Sequence, residues 1–462
     1  MFNPEKFRGQ RACVLGLGRS GRQAAALLKR HGFEVLVSEE NPLPHVKKLG
    51  LPAGVEVETG GHSGRVFDCG FIIKSPGIFP KSPVLQAARK RHLPIFSELE
   101  LALSFMPKGI TVLAVSGTNG KTTTTTLLGE ILKEYVLQKE PHRRVFVTGN
   151  IGAPVSAVAD EIRPQDFLVI EVSSYQLEDS TFFRPKVACL LNITPDHLDH
   201  HGGMENYIRA KARLFKNQRT NDFAVLNGGD EYCARLAPGL KGRLSAFSAK
   251  AKHPLKTEVF FDGDEIIFSA GYRLRPPQLK GIHNVENAMA AALCALAVGV
   301  PPQIIQTVFD RFEAMEHRIE PCAYHKGVIY INDSKATNLD STVIALQSFD
   351  KVPHIWLILG GRDKGASYEV LLPYLKAYCK QVLTIGESMD KIERELKGQF
   401  SLTRCGDLKT AVDFAFAHAK KGDIVLLSPA CSSFDQFKDY EERGRVFKRL
   451  VHRRVKQERS SK

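Results

Sequence analysis

The run V112-L-A-V-S-G-T-N-G-K-T-T123 sets two glycines, a lysine and three threonines at the end of an apolar stretch. An apolar strand that breaks into a Gly-flanked loop and then opens a helix makes a cradle for phosphate. Gly117 and Gly120 let backbone N–H groups turn toward an anion, Lys121 adds a point charge, and Thr122 offers a hydroxyl to Mg²⁺. Thr118 and Asn119 complete the loop. The helix opening at Thr123 is expected to reach about Tyr135, with the positive end of its dipole aimed at the same spot. The loop reads G-x-x-G-K-T, shorter than the common G-x-x-x-x-G-K-[ST] pattern, because Val115 stands five residues before Gly120.

Other groups have weaker but related chemistry. Glu171 closes the strand-like F167-L-V-I-E171 and reads as a magnesium ligand or as an ordinary strand-end carboxylate. N192-I-T-P-D-H-L-D-H-H201 packs two Asp and three His into its last six residues, which invites a zinc reading. Consecutive His200 and His201 are expected not to face one ion from a regular helix, so His197 beside a magnesium–phosphate site is the preferred reading. Asn150 in T148-G-N-I-G152 is a Gly-flanked loop amide, and Lys211 in Y207-I-R-A-K211 reads by itself as a solvated lysine. Three polar loops, N332-D-S-K-A-T-N338, G360-G-R-D-K-G365 and S428-P-A-C-S-S-F-D-Q-F437, each follow an apolar strand. With H317-R318 they supply the cations and hydroxyls needed to hold a carboxylate against a phosphorylated partner.

The elements that must position these groups alternate between strand and helix. R11-A-C-V-L-G16, G16-L-G-R-S-G21, a helix to about Arg30 and F33-E-V-L-V37 form a βαβ start with G-x-G-x-x-G spacing. Alone, that start reads as a dinucleotide site with Glu39 on a ribose. F71-I-I-K74 then runs into the S75-P-G-I78 turn, and Met106-Pro107-Lys108-Gly109 interrupts the pattern. The expected architecture is α/β with three domains in series. Residues 1–107 are read as Rossmann-like, 108–313 as a P-loop ATPase-like centre with a mainly parallel sheet, and 314–462 as Rossmann-like.

Composition narrows the class. The 462 residues are 43% hydrophobic and 25% charged, as in globular proteins. Nine cysteines, scattered from Cys13 to Cys431 without a C-x-x-C pair, fit reduced thiols. The N-terminus lacks the basic-then-apolar order of a signal peptide, and the longest apolar stretch, Ala288 to Val300, is too short to span a bilayer, so a cytoplasmic protein is expected. Of the net charge of +14, the segment from Arg443 onward holds nine Lys/Arg against one Glu. That tail reads as a solvated helix end or as a weak attraction to an anionic membrane surface or polyanion. Only Phe447 is interleaved, which gives no stacking platform for nucleic acid.

Across nearly its whole length the chain resembles the Mur ligases of peptidoglycan synthesis. S116-G-T-N-G-K-T-T123, H283-N-V-E-N287 and H317-R318 are shared with the wider ligase group. G16-L-G-R-S-G21, N332-D-S-K-A-T-N338, L359-G-G-R-D-K364 and S428-P-A-C-S-S-F-D-Q-F-K-D-Y-E-E-R-G444 are more selective. The D-N-P-R type signature of the sister ligase for the third amino acid is missing, which favours the D-glutamate step. The resemblance implies a monomeric ligase that joins D-glutamate to UDP-N-acetylmuramoyl-L-alanine, using ATP and two Mg²⁺ ions. It implies that Thr122, Glu171, His197 and a carbamylated Lys211 serve the metals, and that Lys121, His197, Lys211 and Lys364 are catalytic. Asn287, Arg318 and Asp333 would join the phosphate loop in holding ATP. Thr337, Lys364, Ser433, Phe434 and Tyr440 would hold D-glutamate, while Arg19, Ser20, Ser38, Glu39, Gly77, Asn150 and His197 would line the UDP-sugar path. The interval H200-H-G-G203 departs from the family pattern, and the basic tail carries no family motif.

Overall fold

Short runs of aliphatic and β-branched residues build three sheets in a computed structural model that describes residues 3–43, 49–150, 152–249, 255–279, 281–313 and 316–460. The chain divides into two compact units, Met1–Pro276 with Val285–Arg311, and Pro277–Asn284 with Phe312–Lys462.

In the first unit, β1 (Arg11–Leu15), β2 (Glu34–Glu39), β3 (Val55–Thr59), β4 (Phe71–Lys74) and β5 (Ile95–Ser97) form a parallel sheet in the order β3-β2-β1-β4-β5. The chain leaves β1 on one side and returns on the other, so the glycine turn opening α1 (Arg19–Arg30) lies at the switch point where such sheets bind ligands.

The second sheet joins β6 (Thr111–Ser116), β7 (Val145–Gly149), β8 (Phe167–Glu171), β9 (Val187–Leu190), β10 (Phe223–Asn227) and β11 (Arg243–Ser248). Three short strands, β12 (Val259–Phe261), β13 (Ile266–Phe268) and β14 (Arg273–Leu274), extend it, in the order β14-β13-β12-β11-β10-β9-β6-β8-β7. Again the first strand sits inside, here between β8 and β9, and the phosphate loop leaves its carboxyl end. α2 (Lys121–Lys139) follows that loop and runs four residues past the expected Tyr135. Its opening threonines are poor helix formers; burial of Leu127, Leu128, Ile131 and Leu132 holds the helix against the sheet. α3 (Ser174–Glu178) follows β8, with Ser173 and Gln176 forming a capping box. α4 (Leu198–His201) and α5 (Met204–Ala212) follow β9, and α6 (Ile282–Leu296) packs its small residues Ala288 to Ala292 fully out of water. Lys74 at the end of β4 pairs with Asp179 just beyond α3, which ties the edges of the two sheets together.

The second unit contains β15 (Glu320–His325), β16 (Val328–Asn332), β17 (Ile355–Gly360), β18 (Cys379–Ile385), β19 (Leu402–Gly406) and β20 (Ile424–Leu427), ordered β15-β16-β20-β17-β18-β19. All but the antiparallel edge strand β15 run parallel. The three polar loops leave β16, β20 and β17, which are neighbours, so the expected shared edge is present. α7 (Tyr440–Ser460) buries Phe447 and Val451 and turns Arg445, Arg449, Arg453 and Lys456 outward on one side, while Arg443 is buried, Lys448 pairs with Glu316 and Glu320, and Arg454 pairs with Asp413. No helix among the described residues is long and apolar enough to cross a membrane.

Candidate functional site

The phosphate loop is held from three directions. Thr118 Oγ1 donates to Thr194 O at 3.1 Å and lies 2.9 Å from Tyr207 Oη on α5. Asn119 N donates to Asn192 Oδ1 at 2.8 Å, and Asn192 Nδ2 donates back to Asn119 O at 3.1 Å. Gly120 has φ 83°, and a Cβ there would lie 2.2 Å from Asn287 Oδ1, so both conformation and space require glycine. Asn287 in turn accepts from Thr124 Oγ1 at 3.3 Å, which places this expected ATP residue against the loop. Asn192, Thr194 and Tyr207 were not singled out as site residues. Asn192 and Thr194 lie just past the end of β9, whereas Tyr207 sits inside α5 and has no such local signal.

Two lysines converge on one carbonyl of this loop. Lys121 Nζ donates to Gly117 O at 2.8 Å and to Thr118 O at 2.7 Å. Lys211 Nζ donates to Gly117 O at 2.7 Å and lies over the Tyr207 ring at 4.7 Å. Lys211 is 1% exposed, so it is a buried lysine and not the solvated one that its sequence neighbourhood suggests. Burial, and then the charge of Lys121, push its pKa well below the ordinary lysine range, which favours the neutral amine. The amphipathic spacing that buries Tyr207, Ile208 and Ala210 also turns Lys211 inward.

Glu171 stands beside Val115 across the β6–β8 ladder, one strand from the loop. Its Oε1 accepts from Asn150 Nδ2 at 2.8 Å and its carbonyl from Asn150 N at 2.9 Å, which joins two expected residues. Its Oε2 is buried with no hydrogen-bond partner among the described residues. An orphaned buried carboxylate oxygen on the edge that carries the phosphate loop, with Thr122 only 3% exposed, is a donor set suited to a hard cation such as Mg²⁺. His197 adopts the left-handed conformation at φ 54°, where His is more readily tolerated than most residues, with its ring 4.9 Å from that of Tyr175.

Along the first sheet, Gly16 and Ser75 bring the two switch-point turns together, with Ser75 N donating to Leu15 O at 3.1 Å. Arg19 donates to Gly152 O. Ser38 Oγ donates to Glu58 Oε1 at 2.6 Å, and Gly77 lies exposed in its turn, as does Arg19, while Ser20 is half-buried. Glu39 accepts from Leu17 N at 2.8 Å and from Asn41 N at 3.0 Å, so its carboxylate fastens the glycine turn. That engagement weakens the dinucleotide reading, which needs the carboxylate for a ribose.

In the second unit, the loops after β16 and β20 are sewn to each other. Asp333 N donates to Leu427 O at 2.8 Å, and Asp333 accepts from Ser428 Oγ at 2.8 Å and Ile319 N at 3.2 Å. The loop after β17 joins them, as Arg362 N donates to Ser432 O at 2.9 Å. Ser433 is buried, Phe434 is 62% exposed, Thr337 and Lys364 are half-buried, and Lys335 Nζ lies over the Tyr440 ring at 5.1 Å. His283 is held down to about 4 by burial and by the nearby Arg318 guanidinium, which keeps the imidazole neutral. Arg318 Nε itself is buried without a hydrogen-bond partner among the described residues.

Arg443 carries no expected role, yet it organises this edge. It is 1% exposed and donates to Ser334 Oγ at 3.0 Å, Ser334 O at 2.8 Å and Cys431 O at 3.1 Å. Its neighbour Gly444 leaves room for His317, since a Cβ there would lie 2.2 Å from His317 Nδ1. Arg443→Ala strands two buried carbonyls and is expected to lower stability by about 3 kcal/mol, read as a shift of the urea midpoint. Arg443→Lys should recover less than half, because one ammonium cannot reproduce the fork; full recovery would contradict this role.

Burial raises Asp333 to about 7, against the Ser428 bond and the Arg318 and Arg443 charges. A carboxyl raised in the fold contributes stability that is complete below its ordinary range and is lost as pH rises through about 7. Wild-type stability should therefore fall by a few kcal/mol between about pH 4 and pH 7, and Asp333→Asn should flatten that slope. Unfolding curves of the two proteins that stay parallel across this range would refute it.

The family models for a "MurD N-terminal domain", a "Mur ligase middle domain" and a "Mur ligase, glutamate ligase domain" match residues 11–84, 115–295 and 317–431. UDP-N-acetylmuramoylalanine--D-glutamate ligase of Elusimicrobium minutum is 52% identical over 452 residues, covering 97% of this chain and 99% of its own. The protein of the same name from Koribacter versatilis is 45% identical over 461 residues, covering 98% and 99%. Among solved structures, UDP-N-acetylmuramate-alanine ligase of Thermotoga maritima matches with a TM-score of 0.61 at 20% identity, over 98% of this chain and 100% of that one. A pseudomurein peptide ligase type C of Methanothermus fervidus gives 0.59 at 17%, over 96% and 100%. These two likenesses speak for the fold, and the closer relatives speak for the branch: the chain belongs to the Mur ligase family, among its UDP-N-acetylmuramoylalanine--D-glutamate ligases.

Proposed function

We propose that this chain is an ATP-dependent amide ligase that joins D-glutamate to UDP-N-acetylmuramoyl-L-alanine, a step in building peptidoglycan precursor from cytoplasmic nucleotide substrates. The observation that carries the reading is the pair Lys121 and Lys211 on Gly117 O, at the switch point of a sheet whose next strand ends in the orphaned Glu171 carboxylate. A carboxylate is a poor acyl donor because its leaving group would be oxide. Phosphorylation by ATP forms a C–O–P linkage and releases ADP; the amine of D-glutamate then attacks the acyl carbon, phosphate leaves, and the amine gives up a proton.

Each part of the chain has a task in that sequence. Gly117 and Gly120 present backbone N–H groups to the phosphates on a loop that Thr118 and Asn119 brace against Asn192, and Lys121 neutralises charge as it moves from the β,γ-bridge to the acyl oxygen. Thr122, Glu171, His197 and a carbamylated Lys211 would hold Mg²⁺, which when bound screens the phosphate charge. Carbamylation fits the pairing at Gly117 O, because it turns a buried neutral amine into an anion beside the Lys121 cation. Asn287, Arg318 and Asp333 would orient the nucleotide. The β16, β17 and β20 loops, with Thr337, Lys364, Ser433, Phe434 and Tyr440, would hold the two carboxylates of D-glutamate. The turns at Arg19, Ser20, Ser38, Glu39, Gly77 and Asn150 would receive the UDP-sugar.

Phosphate release tests the order of events. ATP should be hydrolysed only when UDP-N-acetylmuramoyl-L-alanine is present, and turnover should become sustained when D-glutamate is added. Equal ATP hydrolysis without the UDP substrate would contradict the acyl-phosphate reading.

A further inference from the structure

We propose that Glu178, His200 and His201 form a site for a zinc-class divalent cation, distinct from the magnesium positions. Consecutive histidines diverge on a regular helix, and α4 is too short to be one. α4 is a single turn between two left-handed residues, His197 at φ 54° and Gly202 at φ 70°, and its last two imidazoles use different nitrogens. His200 Nε2 lies 3.0 Å from Glu178 Oε2, and His201 Nδ1 lies 3.6 Å from Glu178 Oε1. One donor atom from each residue falls within 4.8 Å of the others. A contraction to roughly 3.3 Å between donors would give tetrahedral zinc geometry.

Three further observations fit a metal ligand set. The His200 and His201 side chains are 3% and 1% exposed, so water competes poorly for their nitrogens. The Nε2 of His201 lies 3.0 Å from Ser174 Oγ; a hydrogen bond donated to that hydroxyl fixes the tautomer and leaves Nδ1 free to face the ion, as ligand-orienting partners do. Glu178, His200 and His201 also line a cavity of about 460 Å³, with Phe79, Asp199 and Arg209 on its other walls, which supplies an entry path and room for a water as fourth ligand. Two imidazoles with one carboxylate select a borderline cation over Mg²⁺, which prefers oxygen.

The placement gives the ion a consequence. Glu178 ends α3, which follows Glu171 in the chain, and α4 begins at the residue after His197. A bound cation would lock these two segments together and hold His197 in its left-handed conformation. The residues would thus be positioning residues for the phosphate-binding edge.

The full-length protein, stripped by a chelator and then titrated with Co²⁺ in saturating Mg²⁺, tests this directly. Wild type should bind one equivalent with the intense visible absorption of four-coordinate cobalt, displaced by Zn²⁺. His200→Gln and Glu178→Gln should each weaken binding by about a hundredfold or more, since orienting partners alone are worth 10–100-fold. Glu171→Gln should leave the spectrum intact, which separates this site from magnesium. His200→Gln, the milder change, carries the test if Glu178→Gln does not fold. The weak spectrum of six-coordinate cobalt in wild type, no binding at all, or an unchanged spectrum in folded His200→Gln would overturn the proposal and leave two imidazoles hydrogen-bonded to a carboxylate.

Discussion

Lys121→Ala is expected to lower kcat by about three orders of magnitude, with a melting temperature within a few degrees of wild type. The phosphoryl group leaving ATP carries charge that must be met in place, and loss of one preorganised donor costs about 10² to 10³ in rate. Lys121 sits at the N-terminus of α2 and donates to two carbonyls of its own loop, so its ammonium is held against the Gly-flanked turn. The fold depends on it little, because Asn119, Thr118 and Gly120 are held by Asn192, Thr194 and the space beside Asn287. Lys121→Arg should recover only part of the rate, since a planar fork cannot occupy the same point. Steady-state phosphate release decides the matter: an alanine variant within tenfold of wild type would remove Lys121 from the chemistry.

The second large effect is expected at Lys211. Lys211→Ala should abolish measurable turnover, and short carboxylic acids such as acetate or formate should restore a small part of it. Its amine is buried, donates to Gly117 O and has its pKa depressed, first by burial and then by Lys121. A neutral amine is the form that attacks CO₂, giving a carbamate after loss of a proton. A small carboxylate entering the cavity left by alanine would supply the same anion beside Lys121. Mass analysis of the intact wild-type protein, before and after exchange into CO₂-free buffer, offers a second readout. Rescue that fails in Lys211→Ala, while Lys121→Ala behaves as expected, would separate a structural lysine from a carbamate.

The sheets and their loops were readable because they follow period and punctuation. Val112 to Ser116, Phe167 to Glu171 and Ile355 to Gly360 are apolar runs that end in glycine or polar residues, and each is a strand ending where expected. The strands β3, β5, β10, β11, β12 to β14, β15 and β19 are not among the expected elements; runs of two or three residues show no period, and Pro321 interrupts β15. Site residues divided in the same way. The phosphate loop announces itself through glycines that only a tight turn requires. Lys211 and Arg443 do not, because a lysine or arginine in a polar helix has the same local signature whether it faces water or Gly117 O and Cys431 O. Only the packing of Tyr207 or Phe447 on the same helix turns them inward. His200 and His201 sit on a helix of one turn and are buried, neither of which the run D-H-L-D-H-H shows by itself.

The amino acid that is joined decides which ligase this chain is. Incubating the protein with ATP, Mg²⁺, UDP-N-acetylmuramoyl-L-alanine and one candidate amino acid at a time, followed by mass identification of the nucleotide product, reads this directly. The expected result is a product heavier by one glutamyl residue with D-glutamate, and unchanged substrate with L-alanine or meso-diaminopimelate. A product formed with either of those, and none with D-glutamate, would contradict the account.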